Sequence, residues 1–175
     1  MDAELTTARL HLRPPAIEDA QEISDAWCRD PEVTRYMIWQ PHKDIAEARA
    51  FLANAIAEQE AGKGAHWMLV LKDDGRIIGD VGARLFQHRV EIGYVLARPF
   101  WSRGYMSEAV SAIAKNLLAD PGIFRVWATC EPANRASARV MEKAGMELEG
   151  RLHRWLVMPA LGTEPRDVLC YARCR

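Results

Sequence analysis

The chain has 175 residues, 49% hydrophobic and 27% charged, the balance of an ordinary globular protein long enough for one domain with a sizeable core. Its formal net charge of -1 leaves no overall basic field to draw in nucleic acid. No apolar run reaches bilayer-crossing length, and the opening MDAELTTARLHLR lacks the apolar stretch of a secretory signal, so no membrane partner is expected.

Residues 9–13 alternate apolar and polar like a half-buried strand, and Pro14-Pro15 ends it. Residues 17–28 carry a helical pattern through Ala20, Ile23 and Trp27, broken at Asp30-Pro31. Residues 33–39 are short, aromatic and irregular. A loop packing its aromatics on the core and a wall of a substrate groove are equal readings, and Tyr36 and Trp39 are the candidate substrate contacts.

Asp44-Ile45-Ala46-Glu47 resembles a capping box. The helix behind it runs through Ala48, Phe51, Leu52, Ala55 and Ile56, with Gly62 past its end. Residues 66–72 read as a strand, Asp73-Asp74-Gly75 as a hairpin turn and residues 76–86 as its partner. Gly79 and Gly82 inside that partner predict a bulge or a close backbone neighbour. A turn near Gln87-His88 leads to a third strand, which makes an antiparallel meander.

That third strand opens the stretch the chain is organised around, VEIGYVLARPFWSRGYMSEAV, residues 90–110. Residues 90–96 suit a buried strand, and Arg98-Pro99 stops it. From Met106 the apolar positions Ala109, Val110, Ile113, Ala114, Leu117 and Leu118 fall at helical spacing. Between them lies Trp101-Ser102-Arg103-Gly104-Tyr105. A cation and a glycine where a helix opens suit an anionic phosphate, because the first turn offers unpaired N–H groups.

Asp120-Pro121-Gly122 ends that helix. Residues 124–130 follow as a strand, expected parallel to 90–96 because a helix crosses between them. Glu131-Pro132-Ala133-Asn134 leads into a helix that runs to Ala144 and is capped by Gly145. Residues 147–157 and 167–172 read as two more strands. Cys28, Cys130, Cys170 and Cys174 show no disulfide rhythm. Reduced thiols fit them better than a metal site, so no metal is expected and the compartment reads as cytoplasmic.

If the parallel pair diverges beyond its first rows, the N–H and C=O groups of Tyr94, Val95 and Leu96 need another partner. An extended, amide-bearing ligand satisfies them as a surrogate strand. Its diphosphate would reach the loop 101–106. Pantetheine carrying a diphosphate meets both demands.

The fragments LTTARLHLRPPAIEDA, RIIGDVGA, VEIGYVL, PFWSRGYMSEAV, EPANRASARVMEKAGMELEG and RDVLCYA together resemble the GNAT superfamily of acetyl-CoA-dependent N-acetyltransferases. The nearest branch is the Rim type, which includes ribosomal-protein N-terminal acetyltransferases. The resemblance implies an α/β (α+β) GNAT fold in one domain over residues 1–175. Its mixed, mostly antiparallel twisted sheet would have six to seven strands, a central splayed parallel pair and helices on both faces. It also implies acetyl-CoA as co-substrate.

The superfamily's pyrophosphate motif, Q/R-x-x-G-x-G/A, falls on Trp101-Ser102-Arg103-Gly104-Tyr105-Met106, with Ser107 adding a hydroxyl. Trp101 fits the branch; Ser102 stands where the branch has Gly, and Met106 replaces a small residue and would narrow the diphosphate site. By resemblance Asn134 contacts the pantetheine arm while also suiting an N-cap. Many members carry a tyrosine acid at the position of Met141. Here Ser137, one turn after Asn134 and where the Rim-type branch has Ser, is the candidate acid for the leaving thiolate, acting mainly by a hydrogen bond that stabilises its charge.

Glu91 is the candidate general base, since burial among apolar neighbours raises a carboxyl pKa; pairing with Arg89 or Arg76 is its alternative. His153 and His88 are weaker candidates. A free α-amine is about one-seventh neutral at pH 7, whereas a lysine amine is neutral in roughly one molecule in 2,500. Without the usual tyrosine, the chain suits the easier amine of a protein or peptide N-terminus. A drug, polyamine or peptide toxin as acceptor, or a binding module without turnover, are the alternatives. The oligomeric state stays open, with an exposed last strand able to pair across a homodimer axis.

Overall fold

In the computed structural model, residues 3–175 are described. Strands β1 (Leu5–Thr6) and β2 (Leu10–Arg13) lead into a helical segment. It winds as a 3-10 turn over Ile17–Asp19, then as α1 (Ala20–Ile23), then as a π turn over Ser24–Cys28. Ala20, Ile23 and Trp27 are all buried, so the apolar spacing marks the inner face but not the change of pitch. α2 (Pro31–Thr34) is one turn, capped by the Asp30 carboxylate on the Glu32 N–H at 2.9 Å.

α3 (Ile45–Glu60) begins where Asp44 Oδ1 accepts from the Ala46 N–H at 2.8 Å. The reciprocal arm of the box lands one residue early, with Glu47 accepting from the Lys43 N–H at 3.0 Å. β3 (Gly64–Leu71), β4 (Ile77–Phe86) and β5 (Arg89–Leu96) form the antiparallel meander. The bulge lies on β4 beside Gly79, as expected: the single step from Leu69 to Val70 on β3 spans two on β4, from Gly79 to Ile77. Gly79 also admits a close neighbour, for a Cβ there would sit 2.4 Å from the Val95 carbonyl oxygen.

α4 (Tyr105–Ala119) buries Met106, Ala109, Val110, Ile113, Ala114 and Leu117, and burying a large side chain of this kind contributes about 1.5–3 kcal/mol. β6 (Arg125–Cys130), α5 (Arg135–Lys143), β7 (Glu147–Leu156) and β8 (Arg166–Cys174) complete the chain. The sheet order is β1-β2-β3-β4-β5-β6-β8-β7, eight strands among the described residues. Among the described residues only β5 and β6 pair parallel. The seven expected strands are present, and the two-residue β1 is the eighth.

The last strand is not an exposed edge. β8 is inserted between β6 and β7, pairing antiparallel with both, so β7 is the edge. α1 and α3 pack on β3 and β4, while α4 and α5 pack on β5, β6 and β8. No helix among the described residues is long and apolar enough to cross a membrane.

Gly79→Ala places a methyl group against the Val95 carbonyl, where backbone must shift. A loss of about 1–3 kcal/mol is expected, read as a lower urea midpoint with unchanged slope; unchanged stability would show that β4 and β5 separate freely here.

Candidate functional site

β5 is paired with β4 along its whole length, from Phe86↔Arg89 to Gly79↔Leu96. With β6 it shares only three rows, Arg89↔Arg125, Val90↔Val126 and Glu91↔Trp127. Beyond Glu91 the two strands part, while β6 stays paired with β8 to Cys130↔Leu169. The result is a fork with Glu91 and Trp127 at its base.

The amides facing the fork follow from the ladder. The Ala97 N–H donates to the Ile78 carbonyl at 2.8 Å, and hydrogen-bonded rows alternate along an antiparallel pair. Val95 opposite Asp80 and Gly93 opposite Gly82 therefore spend their amides on β4. Tyr94 and Leu96 turn theirs into the fork. The expectation for Val95 as a third free amide is corrected on this ground. The Leu96 carbonyl is already met, by the Trp101 indole N–H at 2.7 Å.

Alternation also sorts the side chains. Asp80, on β4, reaches His66 of β3 at 3.3 Å under α3, and Glu91, Gly93 and Val95 share its face by register. Val90, Ile92 and Tyr94 point to the opposite face, under α4 and α5. One strand thus presents Glu91 to one side and Tyr94 to the other.

After β5, a 3-10 turn over Arg98–Phe100 leads into the loop that opens α4. Ser102 has φ +61 and Gly104 φ +81, the left-handed region that glycine enters freely; this gives the physical reason for a usual glycine at the Ser102 position. Gly104 is the N-cap and offers no side-chain cap, so the first-turn N–H groups remain available to an anion. Met106 is 3% exposed. Its side chain lies in the core and does not narrow the loop, contrary to expectation. Ser107 is half-buried, while Trp101, Ser102 and Arg103 are exposed.

The loop is held from a distance in sequence. The Arg9 guanidinium donates to the Arg103 carbonyl at 2.9 Å and to Glu108 Oε2 at 2.7 Å, with its carbon 4.2 Å from the Tyr105 ring centroid. Glu108 Oε1 also accepts from Thr7 Oγ1 at 2.6 Å and from the Arg9 N–H at 2.8 Å. Burial alone would raise the Glu108 pKa; the hydrogen bonds from Thr7 and Arg9 outweigh it and hold the carboxyl low. Sequence reasoning missed this clasp, because nothing in local spacing links residues about a hundred positions apart.

Across the fork, Asn134 caps α5 through its Oδ1 on the Ser137 N–H at 3.1 Å, leaving its amide NH2 to spare. Ser137 Oγ lies 2.7 Å from the Tyr94 hydroxyl. Met141 is fully buried. Cys130, at the end of β6, neighbours Ser137; burial, and then the charges of Glu131 and Glu142, push its thiol up to about 11.

Glu91 is half-buried, and no ion pair among the described residues includes it. Arg76 goes to Asp74 at 2.6 Å, and Arg84, opposite Glu91, leans to Glu58 at 3.9 Å. Burial raises the Glu91 pKa and the Arg84 charge offsets part of the rise. The neighbouring Trp127 carries a buried indole N–H without a partner, a feature no strand pattern foretells. His153 is bound to Asp167 at 3.0 Å, and His88 is exposed in its turn.

Tyr36 and Trp39 are both half-buried. Tyr36 lies under the Arg35 guanidinium at 5.5 Å, and the Trp39 ring meets that of His42 at a tilt of 45°, centroids 5.1 Å apart. Among the described residues no hydrogen bond joins either to Glu91, Tyr94 or Ser137. Arg98 bridges to Asp30 at 3.1 Å, which ties the start of their loop to the end of β5.

A model of the acetyltransferase (GNAT) domain matches residues 9–147. The N-acetyltransferase p20 of Bacillus licheniformis, itself uncharacterized, is 32% identical over 151 residues, 85% of this chain and 84% of its own. The ribosomal protein uS5-alanine N-acetyltransferase of Escherichia coli is 26% identical over 165 residues, 88% of this chain and 83% of its own. Among solved structures, the microcin C7 self-immunity acetyltransferase MccE in complex with acetyl-CoA and AMP has a TM-score of 0.86 at 20% identity, covering 96% of this chain and 93% of that one. That last likeness is one of fold.

Glu108→Gln removes the charge that both Thr7 and Arg9 address. About 1–3 kcal/mol of stability should go with it, and acetyl-CoA affinity, by titration calorimetry, should fall about tenfold as the loop loosens. Wild-type affinity would show that the clasp does not shape the loop.

Proposed function

The chain belongs to the GNAT acetyltransferase family of acetyl-CoA-dependent N-acetyltransferases, and from that premise we propose that its acceptor is the free α-amine of a protein or peptide. The observation that carries the reading is Glu91, an unpaired, half-buried carboxyl at the base of the fork. Such a group is a mild base. It suffices for an amine already partly neutral at pH 7, and falls short for a lysine side chain. The relative named for an alanine of ribosomal protein uS5 spans most of the chain and supports the same class.

The fork suits the co-substrate. The Tyr94 and Leu96 amides offer an unpaired strand edge to a tether with amides of its own. The uncapped start of α4 suits a diphosphate, and Asn134 has a donor to spare beside the tether. When bound, acetyl-CoA supplies an acyl group already activated as a thioester.

On the protein's side the work is positioning and proton management. Glu91 takes the amine proton, directly or through a water. The backbone of the fork orients the acyl group. Ser137 donates a hydrogen bond to the departing sulfur. Tyr36 and Trp39 line the approach of the acceptor. Four free thiols, three of them buried, accord with a cytoplasmic enzyme.

Mass analysis after incubation with acetyl-CoA and a panel of peptides and small amines tests the acceptor. Acetylation of peptide α-amines is expected; saturation by a small amine with peptides untouched would reverse the reading. Glu91→Gln should lower the rate about 10²–10⁴-fold and flatten its rise on the acid side, and a full rate at every pH would remove Glu91 from the chemistry.

The same variant has a stability signature. A carboxyl whose folded pKa is raised costs stability as pH climbs from its unfolded value through its folded one. Glu91→Gln should therefore melt no lower than wild type at pH 4 and higher at pH 7.

A further inference from the structure

The Tyr94 hydroxyl oxygen lies 2.7 Å from Ser137 Oγ and 3.0 Å from the Ser137 carbonyl oxygen. A phenol has one proton to give, so the three oxygens admit two hydrogen-bond patterns. In the first, Tyr94 donates to the carbonyl and Ser137 turns its own O–H back onto the phenol. In the second, Tyr94 donates to Ser137 Oγ, and the serine proton is released toward the fork. No heavy atom moves between them. Negative charge growing on a sulfur beside Ser137 favours the second.

We propose that Tyr94 is a positioning residue for the leaving thiolate, turning Ser137 from a donor to the phenol into a donor to the sulfur. This rests on the reading that Ser137 meets the sulfur. The rest of the surroundings leaves the phenol free for the task. The other titratable groups at the pair are Cys130 of β6, whose thiol is a further hydrogen-bond partner of the Ser137 hydroxyl, and Tyr171 of β8, with Glu131 and Glu142 beyond the thiol. Burial raises both the Cys130 thiol and the Tyr171 phenol. Burial likewise raises Tyr94, against the opposing hydrogen bond from Ser137, so the proton it lends to Ser137 stays its own. The exchange reorients hydrogen bonds and transfers no proton.

The role is legible without an acceptor amine, in the ionisation of bound coenzyme A. The probe is coenzyme A itself, saturating the full chain. Its thiolate absorbance is followed against pH as a difference from the ligand-free protein. Wild type should hold the bound thiol below its value in free coenzyme A. Ser137→Ala should raise it by about one pH unit, tenfold in the ionisation constant. Tyr94→Phe should raise it in the same direction with affinity unchanged within about twofold, and the double variant should match Ser137→Ala alone, since Tyr94 acts through Ser137.

A Tyr94→Phe value equal to wild type, or a Tyr94 effect that persists in the Ser137→Ala background, overturns the proposal. If Ser137→Ala leaves the thiol unmoved, the placement of Ser137 falls and the role of Tyr94 with it. Should the phenylalanine variant fail to fold, Tyr94→3-fluorotyrosine supplies a stronger donor in nearly the same volume. The bound thiol should then ionise lower than in wild type, and an unchanged value overturns the proposal.

Discussion

A backbone amide needs a partner, and by letting β5 and β6 part this molecule withholds the neighbouring strand from the amides of Tyr94 and Leu96. The parallel ladder runs for three rows and stops, while the outer side of each strand stays paired to the end, β5 with β4 and β6 with β8. The fork is therefore a rigid opening, each arm stiffened by its own neighbour. A ligand that brings its own amides restores the missing ladder, which is why the opening fits a peptide-like tether better than a purely apolar one.

Each arm is also pinned by a carboxylate at its outer end. On the β5 side, Glu108 collects Thr7 and Arg9, and Arg9 passes the constraint to the Arg103 carbonyl of the loop. On the β6 side, Glu131 is buried, accepts from the Ala133 N–H, and is met by Arg166 at 2.8 Å. Both anchors join the fork to elements far away in sequence, β1–β2 on one side and β8 on the other. A buried carboxylate left unpaired is costly, so the clasps favour one arrangement of the fork over looser ones.

The sequence carried the elements well and the site unevenly. Periodicity found α4 and its buried face, because the spacing of Met106 to Leu117 encodes that face directly. Asp44 announced α3 through cap chemistry. What spacing does not encode is register. That Val95 spends its amide on Asp80 while Tyr94 does not depends on which rows of the ladder are hydrogen-bonded, and the Ala97–Ile78 bond decides it. The insertion of β8 beside β6 was hidden for the same reason, since two antiparallel strands after a helix can lie in either order. Met106 was misjudged because a motif position names a residue but not its direction. Resemblance points to Ser137, but nothing in the spacing links it to the Tyr94 hydroxyl 43 positions earlier.

The separation of Glu91 from Tyr94 by three positions has a chemical meaning of its own. An odd spacing on a strand sends two side chains to opposite faces. A carboxylate and a phenol on one face, two residues apart, would be neighbours able to hydrogen-bond each other, and each would be less free for other work. Here the strand itself stands between them. Glu91 looks toward the face carrying α1 and α3, where its charged cross-strand neighbour Arg84 leans away to Glu58. Tyr94 looks toward α5, where its proton is kept among the oxygens of Ser137. An acyl transfer must accept a proton from the incoming amine and steady charge on the outgoing sulfur, and the two demands interfere if one network serves both. In the proposed scheme the two demands fall on groups divided across a single strand, so a carboxylate and a phenol within three residues do not neutralise each other.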